Sequence, residues 1–508
     1  MTPPPAARKK ALVVALDAGT SSVRALAFDL AGHPIPGSEE QIPYTLETTA
    51  DGGATYPSQP LFALLVRVID GLVARLGDRV RDVAAVGMSS FWHALLGLDA
   101  DLAPTTPVLF WADTRAADAA RRLREELDQE VVLQRTGCRF HPSYWPAKLR
   151  WLREDDPRTF TRSRHWRSFA EYALSRLCES DAGAVTYCMA SGTGLLDIHA
   201  LGWDAEMLAV SGIATDQLSP LVDLGPPGFL TAEFARRWPG LRQAQWFPGL
   251  GDGACANVGS GAVGSSRLAL TVGTSAAMRI ILPRPPGTVW EIPSGLWAYR
   301  LDREGAVLGG ALSNGGNLLR WMLDTTGTAP DGDAVHAAFA MPPDSTGLTF
   351  LPFLAGERSP GWYEGASGFL GGLTLATRPA TLIRAALEAV PYRLAAVYDA
   401  LAPLARPDHQ IVVNGGAMLN LPPWIQLTAD VLGHPLTALA PDDESTARGA
   451  AMMAAVAAGL VDSLAQFPDI AAAAIVYQPD LAHFSRYREG RERQSRLEQV
   501  LVEAGVLG

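Results

Sequence analysis

FPGLGDGACANVGSGAVGSSRLALTVGTSA, residues 247–276, holds two pieces of chemistry a few turns apart. The first is Asp252, an acid between Gly251 and Gly253. Glycine on both sides predicts backbone room for a substrate to approach closely. The second is the apolar run 268–272, a strand that breaks at Gly273-Thr274-Ser275. A strand ending in glycine and hydroxyl residues can turn its backbone N–H groups toward an anion such as phosphate. The same form occurs near the N-terminus, where the apolar run 11–16 leads into Asp17-Ala18-Gly19-Thr20-Ser21-Ser22 and a second run, 23–28. Two such loops, half a chain apart, predict a duplicated domain with one phosphate loop in each half.

A length of 508 residues predicts two domains, placed at 1–249 and 250–508. The net charge of −11 argues against nucleic acid or an anionic membrane as partner. An acidic protein that binds anions must build local positive sites. Lys9, Lys10 and Lys148 are its only lysines, so arginine supplies the charge. No glycine precedes a lysine, which excludes a P-loop of the Gly-Lys-Ser/Thr type. Cys138, Cys178, Cys188 and Cys255 are scattered without a CxxC pair, and read as reduced thiols of a cytoplasmic protein. The basic N-terminus before the run 11–16 reads as the lead into a strand, since Asp17 interrupts it. No apolar stretch reaches the roughly 20 residues that span a bilayer.

Strands with intervening helices in both halves give an α/β class. Helices are expected at 59–76, 116–135, 147–153, 167–177, 381–401 and 421–432. Ser445 is read as the cap of a small-residue helix over 446–458, and 487–503 as a charged peripheral helix. Gly259-Ser260-Gly261-Ala262-Val263-Gly264 matches GxGxxG but precedes a strand rather than opening a helix. It is read as close packing of small residues, not as a dinucleotide site.

Asp17, at the end of a strand before Gly-Thr, suits a magnesium–phosphate role, because Mg²⁺ takes one or two carboxylates and keeps waters. Trp92 and His93 sit at a strand end, where an indole face beside hydrogen-bonding groups suits a sugar. Trp111, Asp113 and Arg115 read either as a structural ion pair beside an aromatic or as part of that pocket.

These residues together resemble the FGGY carbohydrate kinases, of the actin-like, ribonuclease-H-fold ATPase superfamily. The resemblance rests on LDAGTSSVRALAFD (16–29), GDGACANVGSG (251–261), LTVGTS (270–275), FLAGERSP (353–360) and VNGGAMLNLPPWIQLTADVLG (413–433). Within the family, ASGTGLLDIHALGWD (190–204), TGCRFHPSYWPAKLRWL (136–152), LFWADTRA (109–116) and GGALSNGGNLLRW (309–321) are most similar to gluconokinases.

The resemblance implies two ribonuclease-H-like domains around a cleft, with ATP and Mg²⁺ as cofactors. It implies phosphorylation of a primary hydroxyl of a sugar or sugar acid, D-gluconate first among them. Asp252 is then the base and Asp17 the metal ligand. Thr20, Ser21, Ser22, Arg24, Gly273, Thr274, Gly316, Arg320, Gly415, Gly416 and Asn420 fall at nucleotide contacts. Trp92, His93, Ser143, Asp252 and Gly253 fall where the sugar is held, and Lys148 or an arginine is the expected partner of its carboxylate.

Two positions depart from the pattern. Trp92 replaces a smaller residue, and Ala366-Ser367-Gly368 stands in place of Ala-Arg-Gly. A xylulose, ribulose or glycerol kinase, a non-catalytic actin-like module and a dehydrogenase are the alternatives. The expected partner is a small molecule, with no nucleic acid or membrane, and the sequence leaves a homodimer open.

Overall fold

The computed structural model describes residues 11–179, 183–440 and 444–507; Lys9 and Lys10 lie outside them. Two large sheets carry the fold. In the first, β1 (Leu12–Ala18), β2 (Ser22–Asp29), β3 (Glu40–Pro43), β4 (Val83–Ser90) and β5 (Gln245–Trp246) run in the order β5-β4-β1-β2-β3, and β6 (Leu250–Gly251) also pairs with β4. In the second, β7 (Gly264–Val272), β8 (Ala276–Pro283), β9 (Trp297–Arg300), β10 (Gly305–Leu312), β11 (Gln410–Asn414), β12 (Leu436–Ala438) and β13 (Ile475–Tyr477) run in the order β9-β10-β8-β7-β11-β12-β13.

The duplication foreseen from the two loops is present as topology. β1 pairs antiparallel with β2 and parallel with β4, and β7 pairs antiparallel with β8 and parallel with β11. β1 is buried along its whole length and β7 at Leu268, Ala269, Leu270 and Val272, the part of each strand covered on two faces. Asp17, two residues before Gly19, and Thr271, two before Gly273, are the corresponding positions.

Two helices cross beneath the sheets. Asp252–Gly259 follows β6, and Ser445–Ala457, from the far end of the chain, lies on β1 and β4 as well as on that helix. The crossing is close because the residues are small. A Cβ added at Gly259 would stand 1.7 Å from the Ser445 carbonyl oxygen, and one at Gly449 would stand 1.9 Å from that of Cys255. Gly259 is the first glycine of the GxGxxG match, so packing is its role here.

Several expectations need correction. A helix that none of the expected ones covers starts on Asp252 and runs to Gly259. The single helix over 116–135 is two, Ala117–Glu126 and Gln129–Thr136, because the Asp128 side chain accepts from the N–H groups of Glu130 and Val131 and starts a new helix. Ser445 is the first residue inside its helix and Glu444 holds the cap position. The terminal helix Leu481–Glu503 is not peripheral. Tyr487, Gln494 and Leu501 are buried, and Arg493 pairs with Asp344 while Glu498 pairs with the buried Arg393.

Candidate active site

A cavity of about 170 Å³ opens between the two sheets, walled by both halves of the chain. Thr20, Trp92, His93, Ser143, Asp252 and Gly253, all expected at the site, line it. Trp297, Tyr299, Arg279 and Arg358 come to it from the second half.

Strand register brings the two aspartates to one place. Asp17 lies opposite Ser89 on β4, and Ser89 lies opposite Leu250 on β6, two residues before Asp252. With strands about 4.8 Å apart, that puts Asp17 and Asp252 on the order of 10 Å from each other at the carboxyl ends of three parallel strands. This end of an open α/β sheet is where ligands bind.

Asp252 accepts from the Gly253 N–H at 2.7 Å. Burial pushes its carboxyl up to about 6, with the Gly253 bond and the Arg279 charge opposing and the Asp17 charge adding to the rise. A carboxylate poised there is available as a base near neutral pH. Asp17 is buried, its Oδ2 3.4 Å from Arg24 Nε, and its Oδ1 has no protein partner. Desolvation raises its pKa, with Arg24 opposing. A buried, unpartnered carboxylate oxygen two residues before the Gly19 turn fits Mg²⁺, which needs few protein ligands. Among the described residues no cluster of three metal-ligating side chains exists, so other ligands would have to be phosphate and water.

His93 has a left-handed backbone, φ 68°, uncommon for a side-chain-bearing residue and typical of sites where function fixes the chain. Its Nδ1 stands 2.5 Å from the Gly192 carbonyl oxygen and must donate to it. Burial holds the ring neutral, with a pKa lowered to about 3, so Nε2 is left as an acceptor. Ser143 Oγ donates to the Trp111 carbonyl at 2.6 Å and lies 3.0 Å from His141 Nδ1. Tyr144 and Tyr299 share a 2.6 Å hydroxyl–hydroxyl bond across the halves.

The glycines flanking Asp252 do not make room for a substrate. A Cβ on Gly251 would stand 1.9 Å from the Trp92 ring and one on Gly253 would stand 2.6 Å from it. They admit the indole, whose Nε1 donates to the Cys188 carbonyl at 3.0 Å. The bulky Trp92 is thus accommodated by missing side chains around it.

Lys148 does not line the cavity. Its ammonium is buried behind it and donates to the carbonyls of His93, Leu109 and Phe110 at 3.0, 3.2 and 2.7 Å. It holds the main chain at His93, and the cavity's cations are Arg279 and Arg358. An arginine within the otherwise apolar run 276–282 was the legible signal for the first; Trp297 and Tyr299, on one face of a strand at alternate positions, were the signal for the aromatic wall. Asp113 and Arg115 form an ion pair at 2.6 Å, whereas Trp111 lines the cavity, so the three residues divide between the two readings.

The glycine turns of the second half also converge. The Gly315 and Asn317 N–H groups donate to the Thr274 carbonyl and that of Gly316 to Gly273, which sets the start of the helix Gly316–Thr326 against the turn 273–275. Gly415, at φ 94°, approaches so closely that a Cβ would lie 2.7 Å from the Val272 oxygen. Gly416 and Asn420 are exposed at that mouth, and Arg320 is exposed one turn into the neighbouring helix. In the first loop Thr20 and Ser21 stand at the turn, but Ser22 is buried in β2, accepting from Gln41 Nε2 at 2.9 Å, and is not presented to it. Arg24 is held by Asp17 and Glu444.

Residues 12–259 match the N-terminal domain of the FGGY family of carbohydrate kinases and residues 268–458 its C-terminal domain. The chain belongs to that family. This FGGY kinase is 29% identical to a gluconokinase of Bacillus licheniformis over 497 residues, 94% of this chain and 93% of the other. It is 28% identical to the xylulose kinase of Escherichia coli K12 over 507 residues, covering 97% and 99%. Its structure superposes on gluconate kinase from Lactobacillus acidophilus with a TM-score of 0.87 at 26% identity, covering 96% and 98%. Xylulose kinase from the same organism gives 0.86 at 27%, covering 97% and 98%. The FGGY kinase is accordingly an ATP-dependent sugar kinase of two-domain, actin-like α/β fold, and its described residues include no helix long and apolar enough to cross a membrane.

Proposed function

We propose that this kinase transfers the γ-phosphoryl group of ATP to the terminal primary hydroxyl of D-gluconate, giving 6-phosphogluconate. The observation that carries the reading is the charge of the cavity wall: two guanidiniums, Arg279 and Arg358, against one carboxylate, Asp252. Burial lowers both arginines; Arg279, at about 10, stays charged at neutral pH, and a guanidinium is effectively always protonated in proteins. A surplus positive charge in a buried site favours an anionic acceptor over a neutral ketose or glycerol.

The residues divide the work as follows. Asp252 accepts the proton of the reacting hydroxyl as the oxygen attacks phosphorus, and the γ-phosphoryl group leaves ADP in line. His93 Nε2 accepts from a substrate hydroxyl, and the Trp92, Trp297 and Tyr299 rings cover the C–H faces of the chain. Arg358 Nε has no protein partner, which leaves it free for the carboxylate. Asp17 would hold Mg²⁺, which neutralises phosphate charge when bound. Thr20, Ser21, Thr274, Gly316 and Gly416 would present donors to the phosphates, from halves divided at 249/250. Four free, buried cysteines fit a cytoplasmic enzyme.

A panel of D-gluconate, D-xylulose, D-ribulose and glycerol with coupled ADP detection tests the assignment. Gluconate should give the highest kcat/KM by at least tenfold. A neutral acceptor in first place would reject it.

A further inference from the structure

The loop Glu357–Glu364 roofs the acceptor cavity from the second half, and three of its side chains reach residues of the first half. Arg358 lies over the Trp111 ring, 5.0 Å to its centre. Trp362 meets His141 edge to face at 5.8 Å between ring centres. Glu364 takes two hydrogen bonds from Arg124, at 2.6 and 3.0 Å, and Arg124 also donates to the Phe140 carbonyl at 2.7 Å. The two ends of the loop are held differently. Glu357 is tied to Arg393, buried deep in its own half, whereas Glu364 and Arg124 are both partly open to water. Between the two ends, Trp362 has φ 59°, a conformation costly for a bulky residue and kept only where surrounding contacts enforce it.

We propose that the loop is a strap rooted at Glu357 and latched at Glu364, and that Arg124 and Glu364 are positioning residues which set acceptor affinity by holding Arg358 and Trp362 over the bound sugar. The proposal rests on this cavity being the acceptor site. The forked guanidinium–carboxylate geometry is directional, and it spans the two halves that must close around substrate. Neither residue touches the nucleotide loops, so the latch should act on the acceptor and not on ATP.

A double-mutant cycle in the full-length kinase tests it. Arg124→Gln and Glu364→Gln should each raise the KM for the preferred acceptor about tenfold, a typical coupling size, with KM for ATP within about twofold. The double variant should be no worse than the poorer single one. Hydrogen exchange in 358–365 should slow on acceptor binding in the wild type and not in Glu364→Gln. Acceptor KM unchanged in folded Glu364→Gln, equal effects on ATP and acceptor, or multiplicative effects in the double variant would each overturn the latch. A wild type that phosphorylates no acceptor on the panel would instead overturn the reading of the cavity.

Discussion

Asp17 and Asp252 sit at the carboxyl ends of β1 and β6, the two strands that flank β4, and Ser89 of β4 lies opposite both Asp17 and Leu250. Residues 235 positions apart in the chain are therefore brought within one site by backbone register alone. Asp252 senses Asp17, whose charge adds to its raised pKa.

In its proposed role as the base Asp252 must be ionised to take a proton, so kcat/KM should rise with pH through about 6 and then level. Arg279 favours the carboxylate, so Arg279→Gln should move that acid limb to higher pH, whatever it does to the plateau. A pH–rate profile with the limb unmoved, or moved lower, would contradict the pairing.

The same shift has a cost in stability. Unfolded, the Asp252 carboxyl titrates near 3.8; folded, near 6, so the folded state holds the proton more tightly. That contribution is complete below the unfolded value and is lost as pH rises through the folded one. Asp252→Asn should match the wild type below pH 4 and exceed it above 6, by at most about 3 kcal/mol. Denaturant melts at both ends of that window check the sign, and equal stability at pH 7.5 would contradict it.

The crossing of the helices Asp252–Gly259 and Ser445–Ala457 tolerates no Cβ at Gly449. Gly449→Ala should cost about 1–3 kcal/mol or more by overpacking against backbone that cannot yield. The helix that starts on Asp252 moves with it, so turnover should fall along with the melting temperature. A variant with wild-type melting and turnover would show that the crossing can relax.

Much of this was legible in the chain. The paired strand–glycine–hydroxyl loops gave the duplicated sheets, since alternation and turn chemistry are local properties. Trp92, His93 and Asp252, singled out from their motifs, line one cavity, and register places Asp17 near Asp252. What escaped was tertiary. Lys148 looks from sequence like a cation for a ligand, but its three N–H groups go to carbonyls of two other segments. Gly251 and Gly253 look like space for substrate, but that space belongs to the ring of Trp92. The terminal helix reads as charged and peripheral because Arg493 and Glu498 find their partners, Asp344 and Arg393, more than a hundred residues away.

The proposal that Asp252 is the base of the transfer is tested most directly by turnover in Asp252→Asn with D-gluconate and ATP·Mg²⁺. The amide keeps the size of the side chain and cannot take the proton. We predict that both substrates bind with near-native affinity while kcat falls by roughly 10²–10⁴-fold. A kcat within a few-fold of wild type would contradict the assignment.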